Sequence, residues 1–286
     1  YNEEFNLSKL KKPVNRWILS LLYEMSAKVS KDIKAYRFND AANKAYQFVW
    51  HNYCDWYLEI VKPMLTDEDN QDSNEIRNVS SYVFSKILSI LHPIIPFSTE
   101  YLYTITHKYG EVLALENWPN AKNDGILLGN NNDEINWVIK FISEIRYIRS
   151  ILNIPHKTLI NINFNNLETS CEQYIKDNEE ILKRIARIES FSANISTIEN
   201  SAQILVDKAT FFIPLKNIID VGEELSRLNK DLSKLKSDIS KIVEKLENKH
   251  FIAKAPKEVV SEQMNKKLEL ENSVDRINLA INKLNT

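Results

Sequence analysis

The sequence predicts a mainly α-helical chain that consists of a helix bundle, a small α/β unit and a C-terminal antiparallel coiled-coil hairpin. Only 4 glycines occur among 286 residues, whereas 27% of the residues are charged and 43% are hydrophobic. This composition is typical of helices rather than of turn-rich β-sandwiches. Apolar residues recur at intervals of three and four through most of the chain. We place the bundle at residues 1–154, the α/β unit at 155–216 and the coiled-coil arm at 217–286.

Five amphipathic helices make up the predicted bundle. The first carries an apolar stripe from Pro13 to Tyr36, and the second starts at Asn39 or Asp40, either of which could cap it. The third ends at the two prolines of HPIIP, the fourth starts at Ser98 or Thr99, and the fifth covers residues 134–152. In the second helix, Val49, Tyr53, Trp56 and Ile60 continue the α-helical stripe. Its aromatic residues surround the helix, so we predict that they pack between neighbours: Trp50, Tyr53, Cys54, Trp56 and Tyr57.

Beyond Pro155 the period of the pattern changes. KTLININF alternates like a half-buried strand, a single helical stretch follows at residues 171–187, and AQILVDKATFFIPL reads as two strands with a tight turn near Lys208 and Ala209. The last segment holds a heptad seam from Ile218 to Leu246, which predicts a coiled coil. A weaker seam after ENKHFIAKAP, with Gln263 and Lys267 at two core positions, predicts the returning helix of a hairpin.

Charge and cysteine usage predict the environment of the chain. The formal net charge is −2, so attraction to a polyanion requires a local basic surface rather than a global excess of cations. The two cysteines, Cys54 and Cys171, lie far apart without metal-ligand spacing, which predicts reduced thiols in the cytoplasm. No apolar run has the length of a membrane span, and the start at Tyr1 in a polar stretch suggests a part of a longer chain.

No reaction centre is predicted. The five histidines are scattered, and none lies beside a second ligand at zinc spacing or beside an evident nucleophile. Asp55 and Glu59 share a helix face, but this spacing is far more often a solvated edge than a catalytic pair. Glycine-rich phosphate loops are absent from the sequence. We therefore expect that the chain binds neither a metal nor a cofactor. Its function is expected to be the recognition of another molecule.

Three groups of residues are the candidates for binding nucleic acid. Lys31, Arg37 and Phe38 lie between the first two helices, where a ring could stack on an unpaired base, although Phe38 could equally be a hydrophobic staple. Arg146, Arg149 and Lys157 form a basic group near the end of the fifth helix, with His156 beside them, for which salt bridging is the competing interpretation. A basic stripe on the arm is either a phosphate-binding surface or a solvated face: Arg227, Lys230, Lys234 and Lys241.

Several motifs resemble one family. FVWHNYCDWYLE, HPIIPFSTEYLY and IRYIRSILNIP resemble the anticodon-binding domain of valyl-tRNA synthetases, which are class I aminoacyl-tRNA synthetases. FIPLKNIIDVGEELSRLNKDLSKL and NKHFIAKAPKEVVSEQ resemble the coiled-coil arm of the same enzymes. The resemblance extends from about residue 13 to the end.

The resemblance implies a tRNA-binding portion of a valine–tRNA ligase that meets the anticodon stem-loop and the outer corner of valine tRNA. The catalytic and editing domains of the family, with the HIGH and KMSKS signatures and the use of ATP, have no counterpart in this sequence. The chain alone is therefore expected to be inactive. Because the loop between the two arm helices is short and their lengths are complementary, we expect them to pair within one chain and the chain to be monomeric. The competing hypothesis is a non-enzymatic adaptor whose coiled coil dimerises with a second chain.

Overall fold

A computed structural model describes Leu7 and residues 10–65, 71–107, 111–121, 132–165, 167–193, 201–215, 218–247 and 257–284. The chain forms two compact units, residues 1–139 and residues 140–286, and one long helix contributes to both. The first unit is helical in its described part. Its elements, including the shared helix α6, are α1 (Pro13–Lys34), α2 (Phe38–Gln47), a π-helical segment (Phe48–Leu58), α3 (Glu59–Leu65), α4 (Gln71–Leu91), α5 (Pro96–Thr106), a 3₁₀ turn (Leu113–Leu115) and α6 (Asp133–Ile151).

The predicted helices are confirmed, with corrections at two of their starts. Proline begins α1 because its missing N–H needs no partner in the first turn, and α4 ends at Leu91 just before HPIIP. α5 begins at Pro96 rather than at Ser98 or Thr99, for the same reason that proline suits a first turn. α2 begins at Phe38, and neither Asn39 nor Asp40 caps it.

The aromatic segment after α2 corrects the predicted continuous α-helix. Phe48–Leu58 is π-helical, and its buried residues are Phe48, Tyr53 and Tyr57, at spacings of five and four instead of four and three. The expectation that every aromatic side chain here packs inside is therefore wrong. Trp50 is exposed, and Trp56 and Cys54 are only half-buried.

Apolar side chains of α1, α3, α4 and the π-helical segment form the core of the first unit. The completely or almost completely buried side chains of this core include Trp17, Ile18, Leu22, Tyr57 and Ile76. Burial of each side chain stabilises the fold by about 1.5–3 kcal/mol. The apolar stripe of α1 ends before Tyr36, which is exposed and not a core residue as the sequence pattern suggested.

A buried hydrogen-bond network crosses this core. The hydroxyl of Tyr57 donates to Asn15 Oδ1 over 2.9 Å, and Asn15 Nδ2 donates to Glu75 Oε1 over 2.9 Å. The Glu75 carboxylate also accepts the backbone N–H groups of Lys11 and Lys12 at 3.0 and 2.9 Å. Each polar group therefore has a partner, as burial requires, and the network fixes α1, α4 and the π-helical segment to one another.

The second unit contains a four-stranded sheet in the order β2-β1-β4-β3. The predicted strands are confirmed as β1 (Ile160–Phe164), β3 (Ser201–Val206) and β4 (Ala209–Pro214), and β2 (Ile188–Ala193) is an additional strand. β1 and β2 run parallel, whereas β4 is antiparallel to β1 and β3. The Phe141 ring of α6 contacts Phe211 edge-on, with centroids 4.9 Å apart, and both rings are fully buried.

Two short helices replace the single predicted helix at residues 171–187. They are α7 (Thr169–Asp177) and α8 (Glu179–Ala186), which meet at Asn178. The side chain of Asn178 donates to the Tyr174 carbonyl over 3.0 Å, so this residue closes the first helix locally. Parallel strands need such a crossover, and α7 and α8 supply it between β1 and β2.

The C-terminal arm consists of α9 (Val221–Glu247) and α10 (Lys257–Leu284), which pack against each other. Nine residues, 248–256, join them and lie outside the described residues. Such a link reaches about 30 Å at most, whereas α9 is about 40 Å long, so the helices are antiparallel as predicted. Leu228 and Ile242 of the predicted seam are buried, and Gln263 and Lys267 are half-buried.

Candidate functional site

α1 and α2 are joined by a tight reversal with an aromatic residue at its centre. Tyr36 has φ 57°, in the left-handed region that usually takes glycine at the end of a helix. Its N–H donates to the Ile33 carbonyl over 3.0 Å, and the Arg37 N–H donates to the Asp32 carbonyl over 2.9 Å. The backbone thus holds a strained residue whose side chain is 83% exposed.

A buried carboxylate fixes this reversal. The side chain of Asp32 is completely buried, and it accepts hydrogen bonds from Lys44 Nζ and Arg37 Nη2. The hydrogen bond from Lys44 and the charges of Arg37 and Lys44 hold the pKa of Asp32 below its ordinary value, although burial acts in the opposite direction. Asp32 therefore stays ionised at neutral pH and ties α1 to the start of α2.

Exposed rings and cations share this end of the two helices, which we call the junction surface: Lys31, Lys34, Tyr36, Arg37 and Phe38. The Tyr36 and Phe38 rings meet edge-on, with centroids 6.2 Å apart, and Phe38 is 59% exposed. Phe38 is the first residue of α2 rather than the residue before its cap, so its position differs from that of a hydrophobic staple. The structure brings the predicted Arg37 and Phe38 together, and Lys31 lies one turn earlier on α1.

A second exposed aromatic pair lies further along the same helix. Tyr46 and Trp50 are about half exposed, their ring planes are within 5° of parallel, and their centroids are 6.2 Å apart. The rings of His51 and Tyr46 are nearly perpendicular, with centroids 6.4 Å apart, and His51 Nδ1 lies 3.2 Å from Asp55 Oδ2. Sequence reasoning missed this pair because it assigned both sides of the segment to the core.

The basic group at the end of α6 separates into two kinds of residue. Arg146 and Lys157 are exposed, whereas Arg149 is buried. Arg149 Nη2 donates to the carbonyl oxygens of Pro155 and Thr158 at 2.8 and 2.6 Å, so it fixes the chain between α6 and β1. Burial, together with the charge of Arg187, lowers the pKa of Arg149. The structure therefore gives Arg149 a local bracing role.

On α9, the predicted basic stripe is exposed at three of its four positions. Lys230, Lys234 and Lys241 face solvent, with Lys241 Nζ 3.1 Å from Asp238 Oδ1. Arg227 is held at both sides, since Nη2 lies 2.5 Å from Glu224 Oε1 and Nη1 lies 2.9 Å from Asp231 Oδ2. The hydrogen bonds from Arg227 to Glu224 raise the pKa of the guanidinium. Two carboxylates thus compensate the charge of Arg227, whereas one carboxylate lies beside Lys241.

Comparison with known protein families assigns the chain. The sequence model described as "Anticodon-binding domain of tRNA ligase" matches residues 15–164, which include the junction surface and the Tyr46–Trp50 pair. The chain belongs to this anticodon-binding domain family. The model described as "Valyl tRNA synthetase tRNA binding arm" matches residues 220–285, which include α9 and α10.

Similar whole proteins agree with this family assignment. The valine–tRNA ligase of Brucella melitensis is 33% identical over 278 residues, or 96% of this chain and 30% of that protein. The ligase of Agrobacterium fabrum is 34% identical over 277 residues (95% and 29%), and that of Bartonella henselae is 34% identical over 288 residues (99% and 31%). The chain therefore spans about 30% of the length of these relatives.

In the described part of the chain, no group of three or more His, Cys, Asp or Glu could hold a metal ion. Burial and the nearby Asp55 raise the pKa of the Cys54 thiol, which disfavours the nucleophilic thiolate. Glu59 pairs with Lys62 on the surface, as expected of a solvated edge. Among the described helices, none has the length and apolarity to cross a bilayer.

Two residues of the junction surface, Lys34 and Tyr36, were not predicted from the sequence, and neither was Lys44, which binds the buried Asp32. The spacing of Tyr36 fits the apolar stripe of α1, which predicted a core position for it. The sequence YRFND offered one signal, since an aromatic residue followed by Arg, Phe and the helix-capping types Asn and Asp indicates a boundary between helices. The left-handed backbone of Tyr36 could not be read in the same way, because glycine is the residue expected there.

Proposed function

We propose that this chain is the tRNA-binding portion of a valine–tRNA ligase. The junction surface carries the proposal: two exposed rings stand beside cations on a frame that buried Asp32 holds in place. Unpaired bases stack on such rings, and cations hold the phosphates that flank them. The helical unit would meet the anticodon stem-loop, and the arm would meet the outer corner of the folded tRNA.

At the junction surface, Phe38 is proposed to stack on an unpaired base, with Tyr36 supporting the ring from its edge. Lys31 would bind phosphate, and Arg37 would do so while remaining paired to Asp32. Between residues 31 and 47 the chain has four cations and two carboxylates, Asp32 and Asp40. This local excess of positive charge is what a chain of net charge −2 requires for binding a polyanion.

The second unit would supply contacts to phosphate. Lys230, Lys234 and Lys241 are the proposed ligands on the arm because they are exposed, and Arg227 would contribute less because Glu224 and Asp231 compensate its charge. Arg146 and Lys157 are proposed as further contacts. Arg149 would act indirectly, by fixing the segment that carries Lys157.

We propose that the complete ligase selects valine tRNA, uses ATP and attaches valine. The use of ATP and the attachment of valine would take place in the part of the ligase that this chain does not cover. We further propose a monomer, because α9 pairs with α10 of the same chain and needs no second copy. Sedimentation at micromolar concentration tests this, and a tight dimer would favour the adaptor hypothesis instead. A cytoplasmic location remains a prediction from the two free cysteines.

Binding of valine tRNA and of an unrelated tRNA at several salt concentrations tests the proposal. We expect tighter binding of valine tRNA and a steep loss of affinity with salt, and the logarithmic slope should fall by about 0.7–0.9 for each phosphate contact removed. Replacing Lys230, Lys234 and Lys241 by Gln should therefore flatten the slope by about 2–3. Equal and weak binding of both tRNAs at low salt would refute the proposal.

A second set of binding measurements tests the stacking ring of Phe38. Phe38→Ala should weaken binding of valine tRNA by about 1–3 kcal/mol, which is roughly 5- to 150-fold, with little change in salt slope. Phe97→Ala is the matched control, because Phe97 is also an exposed phenylalanine near the start of a helix and lies on α5. Equal effects of the two substitutions would remove Phe38 from the proposed contact.

A further inference from the structure

Tyr46 and Trp50 form a pair of parallel aromatic rings that are both partly exposed to solvent. Tyr46 is 55% exposed and Trp50 is 53% exposed. Because the ring planes are within 5° of parallel, a flat molecule stacked on one ring is also parallel to the other. Tryptophan is usually buried over most of its surface, so a half-exposed indole beside an exposed phenol is a feature of binding surfaces.

The π-helical segment determines which side of this helix is buried. Trp50 is the third residue of the π-helical segment, in which Phe48, Tyr53 and Tyr57 take the buried positions. π-Helical turns occur frequently at functional sites, because they alter the direction of side chains within a continuous helix. Here this spacing places Phe48, Tyr53 and Tyr57 on the buried side, and Trp50 lies on the opposite, solvent-exposed side next to Tyr46.

Amide side chains lie on the same face of the helix. At 3.6 residues per turn, the exposed Asn39 and Asn43 fall within an arc of about 60° that also contains Tyr46. Amide groups can donate and accept hydrogen bonds at the edges of nucleobases, while the rings contact their faces. The His51 edge packs on Tyr46, and the Asp55 carboxylate next to His51 orients that imidazole, so one side of the pair is already supported.

We propose that Tyr46 and Trp50 form a second stacking site for unpaired RNA bases, separate from Phe38. The inference rests on the proposed tRNA-binding function and extends it to residues on the outer face of α2. Along α2, Tyr46 lies about 12 Å from Phe38, which corresponds to three or four nucleotides of stacked strand. One RNA loop can therefore reach both sites, with Asn39 and Asn43 between them.

Tryptophan emission reports directly on this site. All five tryptophans lie in the described part of the chain: Trp17 and Trp137 are buried, Trp56 and Trp118 are half-buried, and Trp50 is exposed. Acrylamide should therefore quench Trp50 more strongly than the others. The probe is an RNA stem-loop with the anticodon arm sequence of valine tRNA, and a fully paired RNA duplex of equal length is the control.

We expect the stem-loop to quench the emission of Trp50 and to protect the rest of the Trp50 emission from quenching by acrylamide. The duplex should have neither effect. Trp50→Phe should abolish this change and retain most of the affinity, because a ring remains. Trp50→Ala should weaken binding about 5- to 150-fold. Tyr101→Ala, which removes an exposed ring from α5, should leave the affinity unchanged.

Two failures can be told apart. If the wild-type chain does not bind valine tRNA or the stem-loop at low salt, the proposed function itself fails. If both bind with a steep salt dependence but Trp50 emission and its quenching by acrylamide do not change, the stacking site is refuted and the function stands. Equal affinity of wild type and Trp50→Ala, with the same far-UV circular dichroism, would refute the stacking site in the same way.

Discussion

The hydroxyl of Tyr57 provides a sharp test of the buried network in the first unit. Tyr57 is completely buried, its hydroxyl donates to Asn15 Oδ1 over 2.9 Å, and Ser80 Oγ lies 3.2 Å away. Tyr57→Phe keeps the ring and its packing but leaves Asn15 Oδ1 without this donor. An unsatisfied buried acceptor costs about 1–3 kcal/mol, so we expect the free energy of unfolding to fall by about 2 kcal/mol.

Loss of the hydrogen bond between Tyr57 and Ser80 should lower the free energy of unfolding only slightly further. The serine hydroxyl can instead donate to a backbone carbonyl of the preceding helical turn. Asn15 cannot compensate so readily, since its amide nitrogen is committed to Glu75. For a unit of this size, a loss of about 2 kcal/mol corresponds to a decrease in Tm of roughly 5–10 °C. Burial also raises the pKa of Tyr57, so the hydroxyl remains protonated at neutral pH.

Urea unfolding followed by tryptophan emission measures this change, because Trp17 and Trp137 are buried in the same unit. Tyr101→Phe is the control, since it removes a hydroxyl from a tyrosine that is exposed on α5. A Tyr57→Phe variant as stable as Tyr101→Phe would refute the reasoning. A cycle with Ser80→Ala separates the two partners, and we expect a small coupling energy between Tyr57 and Ser80.

Two further predictions concern pH. Because the pKa of Asp32 is lowered in the folded chain, the stability it contributes is complete above about pH 4–5 and is lost as the pH falls further. Asp32→Asn should lower Tm at pH 7 and make stability less sensitive to acid, and an equal acid response of the variant and wild type would contradict this. Burial raises the pKa of Tyr53 to about 12, so its contribution is complete below about pH 10 and is lost as the pH rises toward 12. The free energy of unfolding should fall by about 3 kcal/mol over this range. Absorbance at 295 nm follows the ionisation of tyrosine and circular dichroism follows unfolding, and Tyr53→Phe should unfold at a higher pH than the wild type.

Regular spacing made most of the fold predictable. The stripe of α1 and the seam of α9 follow from apolar residues at intervals of three and four, because a helix places such residues on one side. β1 follows from alternation, and proline marks the start of α1 and the end of α4. These signals are local, so no knowledge of distant residues is needed to interpret them.

The candidate site was predictable in its chemistry but less so in its geometry. Phe38 and Lys230 are exposed as their positions suggested, whereas Arg149 is buried, although its sequence context is equally basic. The burial of Arg149 depends on the carbonyl oxygens of Pro155 and Thr158, which a helical pattern cannot reveal. Trp50 is likewise an aromatic residue of the kind that usually packs in a core, yet it lies on the side of the helix opposite the buried Ala41, Ala45 and Phe48.

The sequence by itself determined the helical class, the order of bundle, sheet and arm, and the absence of glycine-rich phosphate loops, because each depends on local period or composition. Tertiary structure alone decided which rings and cations are available. Asp32 engages Arg37 and Lys44 only after two helices meet, and Tyr36 takes its left-handed backbone only at that meeting. The physical reason is that burial and charge pairing depend on residues brought together across space, which spacing along one helix does not contain.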